Sequence, residues 1–135
     1  MPYEITRRFE AALCAYTGAR YAVAVNSCTA ALQLALQWHF PFVEIPRRTY
    51  VSVPCAIRNA GGKFFWRDED WRGAYQLQPL PVWDSACRFT SDMYVEGQFQ
   101  CVSFAARKIL GAEQGGAILH DNPDADKWFR KMRFD

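Results

Sequence analysis

Apolar residues at the start of the chain recur at helical spacing, with Ile5, Phe9, Leu13 and Tyr16 on one predicted face. Gly18 follows and predicts the end of that helix. Tyr21 to Val25 reads as a short apolar strand that runs into the polar Asn26-Ser27-Cys28-Thr29. Ala30 to Trp38 then reads as a second, largely buried helix, and Phe42 to Ile45 as a strand closed by Pro46. Thr49 to Asn59 carries a helical pattern, with Pro54 in its first turn or at a kink. Gly61-Gly62 ends it, and Lys63 to Trp66 is the next strand. Between Asp68 and Pro81 the periodicity is lost, and charges, Gly73 and two prolines predict a surface connection. Val82-Trp83 is a short strand ending in Asp84, and Cys101 to Phe104 is another, followed by a polar elbow from Ala105 to Lys108. Gly115-Gly116 opens the strand Ala117 to Leu119. Ala125, Trp128, Phe129 and Met132, at i, i+3, i+4 and i+7, predict a closing amphipathic helix.

Strands alternating with helices predict an α/β fold, a three-layer αβα arrangement around a mostly parallel sheet. The 135 residues suit one domain, taken as 1–135. In such sheets ligands collect beyond the carboxyl ends of the strands. That rule selects Asn26 to Thr29, Asp84, and Ser103 to Lys108, because each follows a predicted strand.

Composition narrows the picture further. Ten Phe, six Tyr and five Trp exceed what a small core needs, which predicts apolar surface turned to a partner subunit or further domain. Sixteen Lys and Arg against fourteen Asp and Glu give a net charge of +2, which does not suggest a nucleic-acid or membrane surface. No apolar run approaches the ~20 residues a bilayer-spanning helix needs. Five cysteines without a CxxC pair, and no signal peptide, predict a reducing, cytoplasmic setting. His39 and His120 are the only histidines and fall in no constellation, so no metal site is expected.

Each strand-end segment admits two readings. Ser27, Cys28 and Thr29 lie where a helix begins, so their backbone amides and hydroxyls can hold a phosphate; alternatively Ser27 or Thr29 simply caps the helix. Asp84 at an apolar strand end needs a charge partner, which can be a cofactor's protonated ring nitrogen or an arginine such as Arg88. Lys108, if partly desolvated beside a cationic cofactor, has the lowered pKa of a nucleophilic amine; otherwise it is a solvated lysine. Tyr50 can stack on a flat ring or join the core. Arg47 and Arg48 can anchor a diphosphate or carboxylate, or face water.

Taken in order, these residues form a series. Phe9-Glu10, Tyr16-Thr17-Gly18-Ala19, Asn26-Ser27-Cys28-Thr29-Ala30-Ala31-Leu32, and Ile45-Pro46 with Thr49-Tyr50 come first. Asp84-Ser85-Ala86, Ser103-Phe104 with Lys108, and Glu113-Gln114-Gly115-Gly116-Ala117 follow. The series resembles the DegT/DnrJ/EryC1/StrS family over most of the chain, and Ser-Phe-x-x-x-Lys with Gly-Gly is its most specific element. The resemblance implies part of the large domain of a fold-type-I pyridoxal 5'-phosphate (PLP) enzyme. The implied activity is amination of a nucleotide-linked keto sugar with glutamate as donor, in a homodimer whose sites lie between subunits. It implies Lys108 as the cofactor-linked lysine and Asp84 as the pyridine-nitrogen partner. Ser27, Cys28, Thr29 and Ser103 would hold the phosphate, with Tyr50 stacking on the ring and Ala86 beside Asp84 in the cofactor set.

The sequence departs from the family pattern at three places. Cys28 replaces a glycine, and Cys87 stands where a His or Gln faces the cofactor's phenolic oxygen. Only 13 residues separate Asp70 from Asp84, where the family places additional strand and helix structure. The C-terminal small domain is also expected to be absent. A pocket so open would let water compete for each hydrogen bond, so weak PLP binding and little turnover are expected of this chain alone. The alternative is a non-catalytic α/β assembly or binding module that retains the fold.

Overall fold

The computed structural model describes residues 3–105 and 114–133. Helix α1 (Glu4–Thr17) ends at Gly18, whose left-handed φ of 86° lets its N–H reach the Cys14 carbonyl at 2.9 Å. Strand β1 (Tyr21–Val25) leads into α2 (Cys28–Trp38), and β2 (Phe42–Pro46) into α3 (Ser52–Asn59). Four strands follow: β3 (Lys63–Arg67), β4 (Tyr75–Gln76), β5 (Val82–Ser85) and β6 (Phe99–Ser103). Strand β7 (Gly116–His120) and helix α4 (Pro123–Met132) come last. The start of α4 is strongly specified: the Asn122 side chain accepts from the Asp124 and Ala125 amides, and Pro123 takes the first helical position. Asp124 and Asp126 in its first turn, with Arg130 and Lys131 in its last, complement the helix dipole.

The main sheet has the order β1-β7-β6-β5-β4, and β2 and β3 form a parallel pair. An antiparallel bridge between Glu44 and Gln78 links the two. Strands β1, β5 and β6 run the same way, with β7 and β4 reversed. The carboxyl ends of β1, β5 and β6 therefore share one edge of the sheet. Side chains alternate across it as strand geometry requires. Cys101 of β6, Ile118 of β7 and Val23 of β1 pack with Leu32, Leu36, Ile57 and Phe129 of the helices on one face. Val102, Ala117, Leu119 and Ala22 pack with Leu13 of α1 and Met93 on the other. The outcome is the expected αβα layering, with α2, α3 and α4 opposite α1. The expectation of a mostly parallel sheet is corrected: among the described residues of the main sheet only β5 and β6 pair parallel, because β7 enters between β1 and β6, and β4 beside β5, in the opposite direction.

Strand β1 ends the main sheet, and side chains meet its open edge. The Ala24 amide donates to Glu10 Oε2 (2.7 Å), while Arg130 and Arg133 donate to the carbonyls of Ala22 (3.1 Å) and Ala24 (2.7 Å). Both guanidiniums also grip Glu10, at 2.8 and 2.6 Å. Arg130 Nε continues to Asp126 (2.9 Å), which receives His120 Nε2 (3.1 Å). His120 is fully buried, and its Nδ1 accepts from the Asn122 amide. His120 thus joins a network from α1 to α4, and the expectation that it lies in no constellation is corrected.

Three further expectations change. On α1 the buried residues are Glu10, Leu13 and Thr17, whereas Ile5, Phe9 and Tyr16 are exposed. The face that meets the sheet combines Leu13, in the core, with the Glu10 network, and Phe9 reaches only the Phe104 ring. The stretch 68–81 is not wholly a surface connection: it holds β4, and Tyr75 and Leu77 are buried. Helix α3 starts at Ser52, not Thr49, and the Thr49 hydroxyl ahead of it bonds the Tyr75 hydroxyl; Pro54 keeps its place in the first turn.

Candidate active site

The site is organised around the N-terminus of α2. Ser27 holds an extended backbone, and its Oγ accepts from the Ala30 amide at 3.0 Å, so it is the helix cap. The first turn of α2 contains no carboxylate, which leaves the positive end of the helix dipole unneutralised by its own side chains. Thr29 is partly exposed on that turn. The Cys28 thiol is directed toward the Cys101 carbonyl at 3.5 Å, so its side chain leans into the core.

Gly116 brings this turn onto the sheet. In β7 it lies between Val25 of β1 and Ser103 of β6. A Cβ there would stand 2.5 Å from the Ser27 carbonyl carbon and 2.6 Å from the Cys28 nitrogen. Only glycine allows so close an approach. Ser103, the last residue of β6, is buried, and its Oγ accepts from the Ala105 amide at 3.3 Å.

One strand further, Asp84 is buried inside β5, in register with Cys101 of β6 and with Tyr75 of β4. Its Oδ1 accepts from the Ala86 amide at 3.0 Å, which is the structural role of Ala86. The carboxylate is felt by both neighbours. Burial first, and then the Asp84 charge, push the Cys101 thiol well above its usual pKa. The Tyr75 phenol is likewise raised by burial and by Asp84, against a lowering hydrogen bond from Thr49. The sequence pattern does not assign Tyr75 or Cys101 to the site. For Tyr75 the apolar alternation Tyr75-Gln76-Leu77 is the only available signal, and it is too short to stand out.

Tyr50, just before α3, has its ring in solvent at 74% exposure. Arg47 and Arg48 are tied across the surface to Asp68 (2.8 Å) and Asp70 (4.0 Å), and Arg48 lies over the Trp71 ring. Lys108, with Arg107 and Glu113, lies outside the described residues. An open concavity of about 630 Å³ adjoins the other side of the α2 N-terminus, lined by Thr6, Val25, Asn26, Ala30, Gln33 and Arg133. It includes neither Asp84 nor Ser103. Among the described residues no cluster of His, Cys, Asp and Glu could hold a metal ion, and no helix is long and apolar enough to cross a membrane.

The donor set suits PLP: hydroxyls and helix-end amides for a phosphate, and a buried carboxylate for a pyridine nitrogen, all at the carboxyl ends of β1, β5 and β6. The fold is similar to that of solved aminotransferases. CalS13, a sugar aminotransferase from Micromonospora echinospora, superposes with a TM-score of 0.78 at 19% identity, over 97% of this chain and 50% of its own. DesV of S. venezuelae gives 0.76 at 21% identity, over 95% and 47%. DesI, solved in the presence of its TDP-sugar product, gives 0.73 at 23% identity, over 96% and 45%. The chain thus spans about half the length of the solved structures it matches. No curated protein matches it. The DegT/DnrJ/EryC1/StrS aminotransferase family model matches residues 1–70, and the chain belongs to that family.

Proposed function

We propose that this chain is part of the large domain of a PLP-dependent aminotransferase that acts on a nucleotide-linked keto sugar, with glutamate as the amino donor. The observation that carries the reading is the convergence at one sheet edge. Gly116 seats the α2 N-terminus beside Ser103, and Asp84 lies in register with Cys101, on the same strand as Ser103. When bound, PLP supplies an electron sink for chemistry at an amino-bearing carbon. Ser27, Thr29 and Ser103, with the first-turn amides of Cys28 and Thr29, hold its phosphate. Asp84 holds the proton on its ring nitrogen, kept in place through the Ala86 amide. Tyr50 covers a ring face, and Lys108 supplies Nζ for the covalent link and for proton transfer. The presence of a TDP-sugar with DesI supports a nucleotide sugar as substrate. A homodimer in the cytoplasm completes the reading.

Titration of the chain with PLP tests it: a visible absorbance band should appear in wild type, weaken in Asp84→Asn and vanish in Lys108→Ala. Identical spectra in wild type and Lys108→Ala would overturn the Lys108 role. A second reading, a non-catalytic assembly or binding module, is favoured by the exposed aromatics Phe40, Phe42, Phe65 and Trp66 around β2 and β3. Retention of PLP through purification separates the two, since a module without the cofactor would emerge colourless.

A further inference from the structure

Strand β4 is two residues long, and its register sets Tyr75 opposite Asp84 on β5. Tyr75 is 1% exposed, and the Trp71 ring lies 4.8 Å from its own, centroid to centroid. A phenol buried this deeply needs hydrogen-bond partners. The Thr49 hydroxyl, just ahead of α3, is one, and the strand register sets the Asp84 carboxylate opposite the phenol on the same face of the sheet. An ionised carboxylate can only accept, so a phenol that bonds Asp84 is the donor there and takes the Thr49 hydrogen bond as acceptor. Asp84 accepts from the Ala86 amide at 3.0 Å, and Tyr75 is the buried donor that the register places opposite it.

We propose that Tyr75 is a positioning residue that orients the Asp84 carboxylate, with Thr49 fixing the phenol from behind. The importance of this orientation rests on the reading of Asp84 as the pyridine-nitrogen partner. Strand β4 occupies the short connection between Asp70 and Asp84, so the segment that shortens the chain also brings a support to the carboxylate. Among the described residues, Tyr75 from β4, Cys101 from β6 and Cys28 from α2 are the titratable groups that face this centre. Burial and the Asp84 charge keep both the phenol and the Cys101 thiol protonated at neutral pH, so Tyr75 remains a donor throughout.

The test uses the full chain without cofactor, labelled with ¹³C at aspartate carboxyls, the Asp84 signal being assigned by its loss in Asp84→Asn. Tyr75→Phe should raise the Asp84 titration midpoint by about one unit, because the ionised form loses a charge-assisted hydrogen bond. Thr49→Val should raise it less, in the same direction, and far-UV circular dichroism reports whether each variant is folded. An unchanged midpoint in folded Tyr75→Phe overturns the proposal; if that variant does not fold, an unchanged midpoint in Thr49→Val overturns it. Addition of PLP keeps the two readings apart. If wild type gains no visible band while the midpoint still moves, the cofactor role of Asp84 fails and the Tyr75 support stands. If the band forms but the midpoint does not move, the cofactor role stands and the Tyr75 support fails.

Discussion

Gly116→Ala places a methyl group where the structure has no room for one. Its Cβ would lie 2.5, 2.6 and 2.7 Å from three backbone atoms of Ser27 and Cys28, against the 3.4 Å or more of an ordinary contact. None of these atoms ends a flexible side chain, so the strain cannot be relieved by a rotamer change. Gly116 itself is paired on both sides, to Val25 and to Ser103. Relief therefore means moving the first turn of α2 by almost 1 Å, or bending β7 out of its ladder. Overpacking of this kind costs about 1–3 kcal/mol. Displacing the turn also strains the Ser27 cap, a further ~1 kcal/mol. The expected loss is about 3 kcal/mol. With an m-value near ~2 kcal/mol/M, equilibrium urea unfolding followed by tryptophan fluorescence should show a midpoint lower by about 1.5 M. Gly97→Ala is the control: its φ is 84° but no atom lies within 4 Å of the new Cβ, so it should cost only ~1 kcal/mol of backbone strain. A Gly116→Ala chain within about 0.5 kcal/mol of wild type would refute the claim that close approach, and not flexibility, selects glycine there.

Ser27→Ala removes the α2 cap and should destabilise by about 1 kcal/mol in thermal unfolding; the same variant should weaken inorganic phosphate binding, read by calorimetry. Glu10→Ala removes the carboxylate that two guanidiniums and the Ala24 amide share at the β1 edge, and a loss of about 3 kcal/mol is expected in urea. For Asp126, burial pushes the carboxyl pKa up, but hydrogen bonds from His120 and Arg130 outweigh it and the net shift is downward. A carboxyl lowered in the folded state contributes stability that is fully present above its unfolded value of about 3.9 and is lost as pH falls through the folded value. Wild type and Asp126→Asn should therefore differ most above pH ~4 and converge below it, as measured by unfolding at a series of pH values.

The elements with long, regular patterns are legible without coordinates. Alternation and length place β1, α2, β2 and α4 within a few residues of their observed bounds, and Ser27, Asp84 and Ser103 stand at or beside strand ends, where the pattern puts them. What escapes is what sequence periodicity does not encode. Strand β4 is too short for its Tyr75-Leu77 alternation to be distinguished from loop chemistry. The inward face of α1 includes Glu10, a residue that patterning assigns to solvent, because two arginines more than 100 positions away neutralise it. His120 looks solitary in sequence because its partners, Asp126 and the Asn122 amide, approach only once α4 folds back on β7. Asp84 is legible as a residue in need of a partner, but the phenol opposite it follows from strand register alone.

The functional reading turns on Lys108, and borohydride trapping tests that lysine most directly. The chain is incubated with PLP, reduced, digested and mapped by mass spectrometry. One dominant pyridoxyl adduct is expected, on Lys108, lost in Lys108→Ala and diminished when Asp84 is replaced by Asn. Adducts spread evenly over surface lysines, unchanged in Lys108→Ala, would contradict the assignment.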